Sequence, residues 1–236
     1  MSKNIVLLHG WGASAEKLEG LKKELEALRW NVFVPELPGF ETAPPNRVWG
    51  LDNYADYVLK KADNNFKSGY FIFGHSFGGG ISIKVALRSG TKLQGIVLCA
   101  TRGFSRGSLV KRIIFFILAK LGKVLILFSP VAYFWKKILY KLAREHDYEK
   151  TKGIMRDVFK KIIAEDLKDK VCKIKVPALV LWGEEDKMTP IKDAVFIKNN
   201  LPGAILVTFK NIGHRLPYER QKDVAINIEK WYKLIK

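Results

Sequence analysis

The chain reads as an α/β fold, a mostly parallel six-stranded sheet with helices on both faces, interrupted by one long helical insertion. Three observations predict it. Six short β-rich runs are apolar on successive residues, the pattern of strands buried on both faces. Amphipathic stretches of helical length lie between them, and alternation of strand and helix implies a parallel sheet covered on both sides. One connection is several times longer than the rest.

Taken in order, strands are expected at Ile5 to Leu8, Asn31 to Val34, Tyr70 to Phe73, Leu93 to Ala100, Pro177 to Trp182 and Ile205 to Phe209. Helices are expected at Ala15 to Leu28, Leu51 to Phe66, Gly79 to Leu87, Ile191 to Asn200 and Arg220 to Ile235. Between Gly103 and Lys175, 73 residues separate two strands, where a helical crossover needs only about a dozen. Within that insertion Met155, Val158, Phe159, Ile162 and Ile163 recur at helical spacing among Arg156, Asp157, Lys160 and Lys161, so part of it is an amphipathic helix. Pro130 splits the remainder into shorter helical pieces. The expected division is therefore a core of residues 1–102 and 176–236 and an insertion of residues 103–175. No internal repeat or low-complexity segment is visible.

With 236 residues, 48% of them hydrophobic, the chain can bury one sizeable core. Its 41 Lys plus Arg against 23 Asp plus Glu leave a net charge of +18, which favours anionic partners without naming them. Two cysteines, Cys99 in an apolar run and Cys172 in a charged stretch, make no disulfide framework and fit a reducing compartment. The apolar run before residue 9 spans only Ile5 to Leu8, short of the ~7 to 15 residues of a signal-peptide core. The expected location is the cytoplasm.

The chemistry gathers at the ends of the strands. Gly74-His75-Ser76-Phe77-Gly78 joins a strand directly to a helix, and a serine on so sharp a turn needs small residues two positions before and after it. The helix that follows aims its N-terminus at the serine, and the Phe77 N–H can donate to a developing oxyanion. His9-Gly10-Trp11-Gly12, just past the first strand, can present the Trp11 N–H to the same oxygen, with His9 bracing the loop. Gly213-His214, in a short loop after the last strand, supplies the natural general base. His75 adjoins the serine but points away from it, and His146 lies in the insertion beside Asp147. Three carboxylates, Glu184, Glu185 and Asp186, compete to orient the base; Asp186 is preferred because it precedes Thr189-Pro190 and keeps the chain order Ser, Asp, His.

These residues, His9 to Gly12, Gly74 to Gly79, Gly183 to Asp186 and Gly213-His214, together resemble the α/β-hydrolase superfamily over nearly the whole chain. The resemblance implies a Ser76 nucleophile, an Asp186 acid, a His214 base, oxyanion donors at Trp11 and Phe77, and a helical lid from about Gly103 to Lys175. It departs from many members in lacking an N-terminal antiparallel hairpin, so a reduced six-stranded parallel sheet is implied. The His-Gly-Trp-Gly loop and the lid are similar to those of pimeloyl-carrier-protein methyl esterases and of carbon–carbon bond hydrolases acting on ring-cleavage products.

The expected function is cleavage of a carboxylic ester or thioester through an acyl-enzyme, with no metal or organic cofactor required. A carbon–carbon bond hydrolase and a non-catalytic binding module are the alternatives. A serine at position 76 excludes the carboxylate nucleophile of dehalogenases and epoxide hydrolases. The insertion holds 18 Lys plus Arg against 7 Asp plus Glu, most of the chain's excess charge. Its apolar runs Ile113 to Ala119 and Val124 to Trp135 are too interrupted for the ~20-residue span of a membrane helix. These runs either pack on the mouth of the pocket while the lysines face water or, with Lys111, Arg112, Lys120 and Lys123, form a landing surface for an acidic carrier protein, an acyl chain with an anionic head or an anionic membrane. Nucleic acid is not expected, because no recognition motif accompanies the charge.

Overall fold

The computed structural model describes residues 2–88, 90, 92–104 and 153–236. In chain order these form β1 (Asn4–Leu8), a 3-10 turn (Ala15–Leu18), α1 (Glu19–Ala27), β2 (Asn31–Phe33) and α2 (Leu51–Asn65). Next come β3 (Tyr70–His75), α3 (Phe77–Ala86), β4 (Leu93–Cys99), α4 (Ile154–Ala164), α5 (Lys168–Val171) and β5 (Ala178–Gly183). The chain closes with α6 (Ile191–Asn200), β6 (Ile205–Phe209), α7 (Leu216–Glu219) and α8 (Gln221–Ile235). The strands form one six-stranded sheet in the order β2-β1-β3-β4-β5-β6, and every neighbouring pair is parallel.

Strand periodicity builds the two faces. Val6, Leu8, Ile72, Ile96, Leu98, Val180 and Trp182 point to one side, where α2, α3, α4 and α6 cover them. Ile5, Leu7, Phe71, Phe73, Val97, Leu179 and Leu181 point to the other, beneath α1 and α8. Full burial of each such side chain contributes about 1.5–3 kcal/mol, so the alternation holds the register against a one-residue slip. Gly95 lets Trp231 of α8 lie directly on β4, since a Cβ there would sit 2.7 Å from the indole. Two residues earlier in α8, Glu229 accepts hydrogen bonds from Lys3 at 2.9 Å and from the Trp30 indole at 2.9 Å.

The two edge strands correct the expectation of burial on both faces. β2 and β6 are only partly covered, because each stands at an edge of the sheet with a neighbouring strand on one side alone. The helix expected from Ala15 opens instead as a 3-10 turn before α1, and Arg29 at φ 65° ends the segment in the left-handed conformation. Helix α3 starts at Phe77, two residues earlier than expected, despite three consecutive glycines. Packing overrides propensity there. A Cβ on Gly79 would strike Thr101, and one on Gly78 would lie 2.5 Å from the Leu8 carbonyl oxygen.

Of the insertion, α4 has the expected amphipathic form, with Met155, Val158, Phe159 and Ile162 buried against the rest of the chain. Glu165, just past α4, pairs with Lys84 of α3, which also bonds Asp52 of α2 at 2.9 Å. That Lys84 is nearly buried, so its two carboxylates offset a desolvation cost that neither would cover alone. Residues 105–152 lie outside the described residues, and with them His146, Pro130 and the whole of the expected landing surface. Among the described residues no helix is long and apolar enough to cross a membrane.

Because the atom opposing Gly78 is backbone, Gly78→Ala should cost about 3 kcal/mol in urea unfolding. Gly90→Ala, with nothing within 4 Å, should cost less than about 0.5 kcal/mol. Equal stabilities for the two variants would contradict the packing described for α3.

Candidate active site

The strand order reverses between β1 and β3, so the loops leaving these two neighbours diverge and open a crevice at their carboxyl ends, where open α/β sheets bind ligands. Leu8 is paired with Gly74, which puts the loop after β1 and the turn after β3 at one height. Ser76 occupies that turn at φ 53° and ψ −108°, a conformation costing a non-glycine residue roughly 1–3 kcal/mol. Its neighbours hold it there. The Ser76 N–H donates to the Cys99 carbonyl at 2.9 Å, and the Ser76 carbonyl accepts from Gly79, Gly80 and Arg102 at 3.1, 3.3 and 3.3 Å. A Cβ on Gly74 would collide with the Gly78 carbonyl and the Ser82 hydroxyl, so both flanking glycines of the motif are required by contact. The Ser76 hydroxyl itself has no hydrogen-bond partner among the described residues.

The loops after β5 and β6 meet beside this turn, joined by Glu184 N–H to the Phe209 carbonyl at 2.9 Å and Glu185 N–H to the Ile212 carbonyl at 3.1 Å. That junction brings His214 Nδ1 to 2.7 Å from Asp186 Oδ2. A carboxylate can only accept, so Nδ1 carries the proton and Nε2 bears the free lone pair. Of the three competing carboxylates, Asp186 is buried, whereas Glu184 and Glu185 are exposed. Burial alone would push the Asp186 carboxyl up. The hydrogen bonds from His214 and from the Thr189 hydroxyl and N–H overcome that and hold it below the ordinary carboxylate value.

Of the remaining motif residues, His9 is fully buried, with Nδ1 2.9 Å from the Gly10 carbonyl and Nε2 3.3 Å from the Leu37 N–H, and so braces its loop as expected. Gly12 adopts φ 70° and Gly10 approaches the His75 ring, where a Cβ would sit 2.9 Å from Nδ1. Among the described residues the N–H groups of Trp11 and Phe77 have no acceptor, and the two rings stand 5.4 Å apart. Phe40 and Phe159 complete an aromatic cluster on Trp11, at 5.1 and 4.9 Å. Arg102 lies at its rim, the guanidinium 5.7 Å from the Phe159 ring centre.

Sequence reading overlooked three participants. Thr189 donates its N–H to Asp186 Oδ1 at 2.8 Å and its hydroxyl to Oδ2 at 2.7 Å. Its place three residues after Asp186 and just before a proline is the signal of such a side-chain-capped turn. His75 has its Nε2 2.8 Å from the His214 carbonyl oxygen. Tyr218 meets the other nitrogen of that ring at 3.0 Å, and nothing in the sequence announces it. Among the described residues no group of three or more His, Cys, Asp or Glu side chains could hold a metal ion.

Comparison with known proteins places this arrangement in context. The model of a family described as serine aminopeptidase, S33, matches residues 1–221. The chain is 27% identical over 228 residues to the pimeloyl-[acyl-carrier protein] methyl ester esterase of Neisseria meningitidis serogroup C, covering 90% of this chain and 86% of that protein. In structure it is similar to an esterase from Exiguobacterium antarcticum, at TM-score 0.72, 18% identity and coverage of 98% of this chain and 91% of that one. It is also similar to a meta-cleavage product hydrolase from Pseudomonas fluorescens, at TM-score 0.71, 17% identity and coverage of 99% and 91%. At these identities the structural likeness concerns the α/β-hydrolase fold alone.

Burial, with the His214 ring beside it, lowers His75 from 6.5 to about 3, so between those values the unfolded chain binds a proton that the folded chain refuses. The resulting stability is complete above pH 6.5 and is lost as pH falls toward 3. Urea unfolding at pH 5 should therefore give a stability lower than at pH 7.5 by on the order of 2 kcal/mol, with His9, also lowered by burial, acting in the same sense. His75→Gln should flatten that dependence; an equal slope in both proteins would contradict a buried neutral His75.

Proposed function

The chain belongs to the serine aminopeptidase S33 family of α/β-hydrolases, and from that premise we propose that it cleaves a carboxylic ester or thioester through an acyl-enzyme on Ser76. The reading is supported by the 2.7 Å bond between Asp186 and His214 and by the strained strand-to-helix turn that carries Ser76. In this mechanism the neutral His214 Nε2 takes the Ser76 proton as Oγ attacks the carbonyl carbon. Asp186 keeps the imidazole in the required tautomer and stabilises the imidazolium that forms. In this reading the hydrogen bond from the Ser76 hydroxyl to His214 Nε2 forms when substrate is bound.

As the carbonyl oxygen gains charge, the Trp11 and Phe77 N–H groups receive it, each free of other acceptors and the second lying at the N-terminus of α3. Preorganised donors of this kind contribute about 2.7–4 kcal/mol apiece. His214 then protonates the leaving alkoxide or thiolate. A water activated by the same nitrogen releases the acyl group and restores Ser76. The aromatic cluster of Trp11, Phe40, Phe77 and Phe159 supports an apolar acyl portion beside the serine. No metal or organic cofactor takes part in any step.

A fluorophosphonate probe should label the wild type at Ser76 and leave Ser76→Ala unlabelled. Ser76→Ala and His214→Ala should each lower kcat on p-nitrophenyl esters by on the order of a million-fold. Activity should be highest on esters and thioesters of graded chain length, and much lower on aminoacyl anilides and ring-cleavage dienols. A reversed preference would move the reading to a peptidase or to carbon–carbon hydrolysis.

For the orienting acid, Asp186→Asn should cost about four orders of magnitude in kcat. Glu184→Gln and Glu185→Gln should cost less than about ten-fold, as befits exposed carboxylates. The opposite ranking would give the role to one of the glutamates.

A further inference from the structure

His75 precedes the nucleophile, is nearly fully buried, and takes no part in the mechanism above. Its Nε2 lies 2.8 Å from the His214 carbonyl oxygen, which can only accept, so Nε2 carries the ring proton. Nδ1 then bears a lone pair, and the Tyr218 hydroxyl 3.0 Å away must donate to it. The backbone N–H of Gly10 faces the same oxygen. Two hydrogen bonds thus run in one direction, Tyr218 O–H to His75 Nδ1 and His75 Nε2–H to the peptide carbonyl of His214, with the Gly10 N–H facing the Tyr218 end.

Each end of that chain adjoins a candidate catalytic atom. Gly10 immediately precedes Trp11, whose N–H faces the oxyanion. His75 immediately precedes Ser76. The last acceptor is the backbone of His214 itself. The three segments come from β1, β3 and the loop after β6, which the sheet alone does not hold to each other beyond their strand ends. The ring fits tightly, since any side chain on Gly10 would press on His75 Nδ1.

We propose that His75 and Tyr218 are positioning residues, a two-side-chain brace that sets the general-base loop and the oxyanion loop in register with the nucleophile without touching substrate. The brace rests on the reading of Ser76 and His214 as nucleophile and base. Since displacement of a catalytic group by about 1 Å can cost on the order of 100-fold, the effect belongs to kcat, not to substrate binding. It also requires one protonation state. A proton on Nδ1 would face the hydroxyl hydrogen of Tyr218 and break the sequence, and the burial of the ring opposes that proton.

The test measures kcat and KM on a p-nitrophenyl ester, together with Tm, for Tyr218→Phe, His75→Leu and His75→Gln. Tyr218→Phe should lower kcat about ten-fold with KM within about two-fold of the wild type. His75→Leu should lower kcat about 100-fold, and His75→Gln, which restores a donor toward the His214 carbonyl, should recover about ten-fold of that loss. Recovery by glutamine separates a hydrogen-bonding role from one of filling space. Should His75→Leu fail to fold, the kcat of Tyr218→Phe decides, since it removes one oxygen and keeps the ring. A wild-type kcat in folded Tyr218→Phe, or a loss confined to KM, would overturn the brace while fluorophosphonate labelling of Ser76 left the nucleophile in place. An unlabelled wild type would overturn the nucleophile itself, and the brace with it.

Discussion

The close approach of backbone to backbone around Ser76 is the constraint from which the rest of this site follows. With a Cβ on Gly78 excluded by the Leu8 carbonyl oxygen, α3 can lie directly on the end of β1, and the chain must turn within a single residue. Ser76 then has no option but φ 53°. The strain is held by four backbone hydrogen bonds to the turn, at 2.9 to 3.3 Å, each worth about 1 kcal/mol net. Together they are of the size of the strain they oppose. The same geometry leaves the first N–H of α3 without an acceptor among the described residues.

Burial of a carboxylate is the second cost. Asp186 sits where water cannot solvate it, and its charge is stabilised by donors that come from three places: the His214 ring, the Thr189 hydroxyl, and the Thr189 and Met188 N–H groups, the last at 2.8 Å. Loss of one donor still leaves others, which suits a group that must stay ionised while its partner gains and loses a proton. Glu184 and Glu185 meet no such requirement. Glu184 accepts from Thr208 at 2.9 Å on the exposed edge strand, which is a surface contact of small energetic weight.

The parts of this picture legible in the sequence are those set by local rules. Six apolar runs become six parallel strands because burial on both faces leaves no polar alternation to disguise them, and the glycines around Ser76 are readable because each is demanded by its own contact. The edge strands misled for the converse reason: Val32 and Leu206 are as apolar as central residues, and only the strand order reveals that nothing lies beyond them. Helix α3 began earlier than propensity allows, since three glycines are poor helix formers until a helix has to pass within contact of Leu8 and Thr101. Thr189 was visible as a turn residue but not as a ligand of Asp186. Tyr218 was invisible, because its partner is 143 positions away and no spacing encodes that distance.

Three histidines stand at one end of the sheet, and the structure gives each a single tautomer through one oxygen that can only accept. His9 donates from Nδ1 to the Gly10 carbonyl, His75 from Nε2 to the His214 carbonyl, and His214 from Nδ1 to Asp186. The second nitrogen then separates them. His9 Nε2 accepts the Leu37 N–H, and His75 Nδ1 accepts the Tyr218 hydroxyl, so both lone pairs are occupied inside the protein. A proton on His75 Nδ1 would face the Tyr218 donor, whereas at His9 Nε2 the Glu36 carboxylate 3.0 Å away would welcome one and burial outweighs it, so that burial lowers both. Among the described residues His214 Nε2 has no such partner. A ring that must take a proton needs a lone pair that nothing else holds and an opposite nitrogen already bound to a negative charge, and of the three only His214 meets both conditions. Residue type cannot distinguish a proton carrier from a brace here; the donors and acceptors around each ring do.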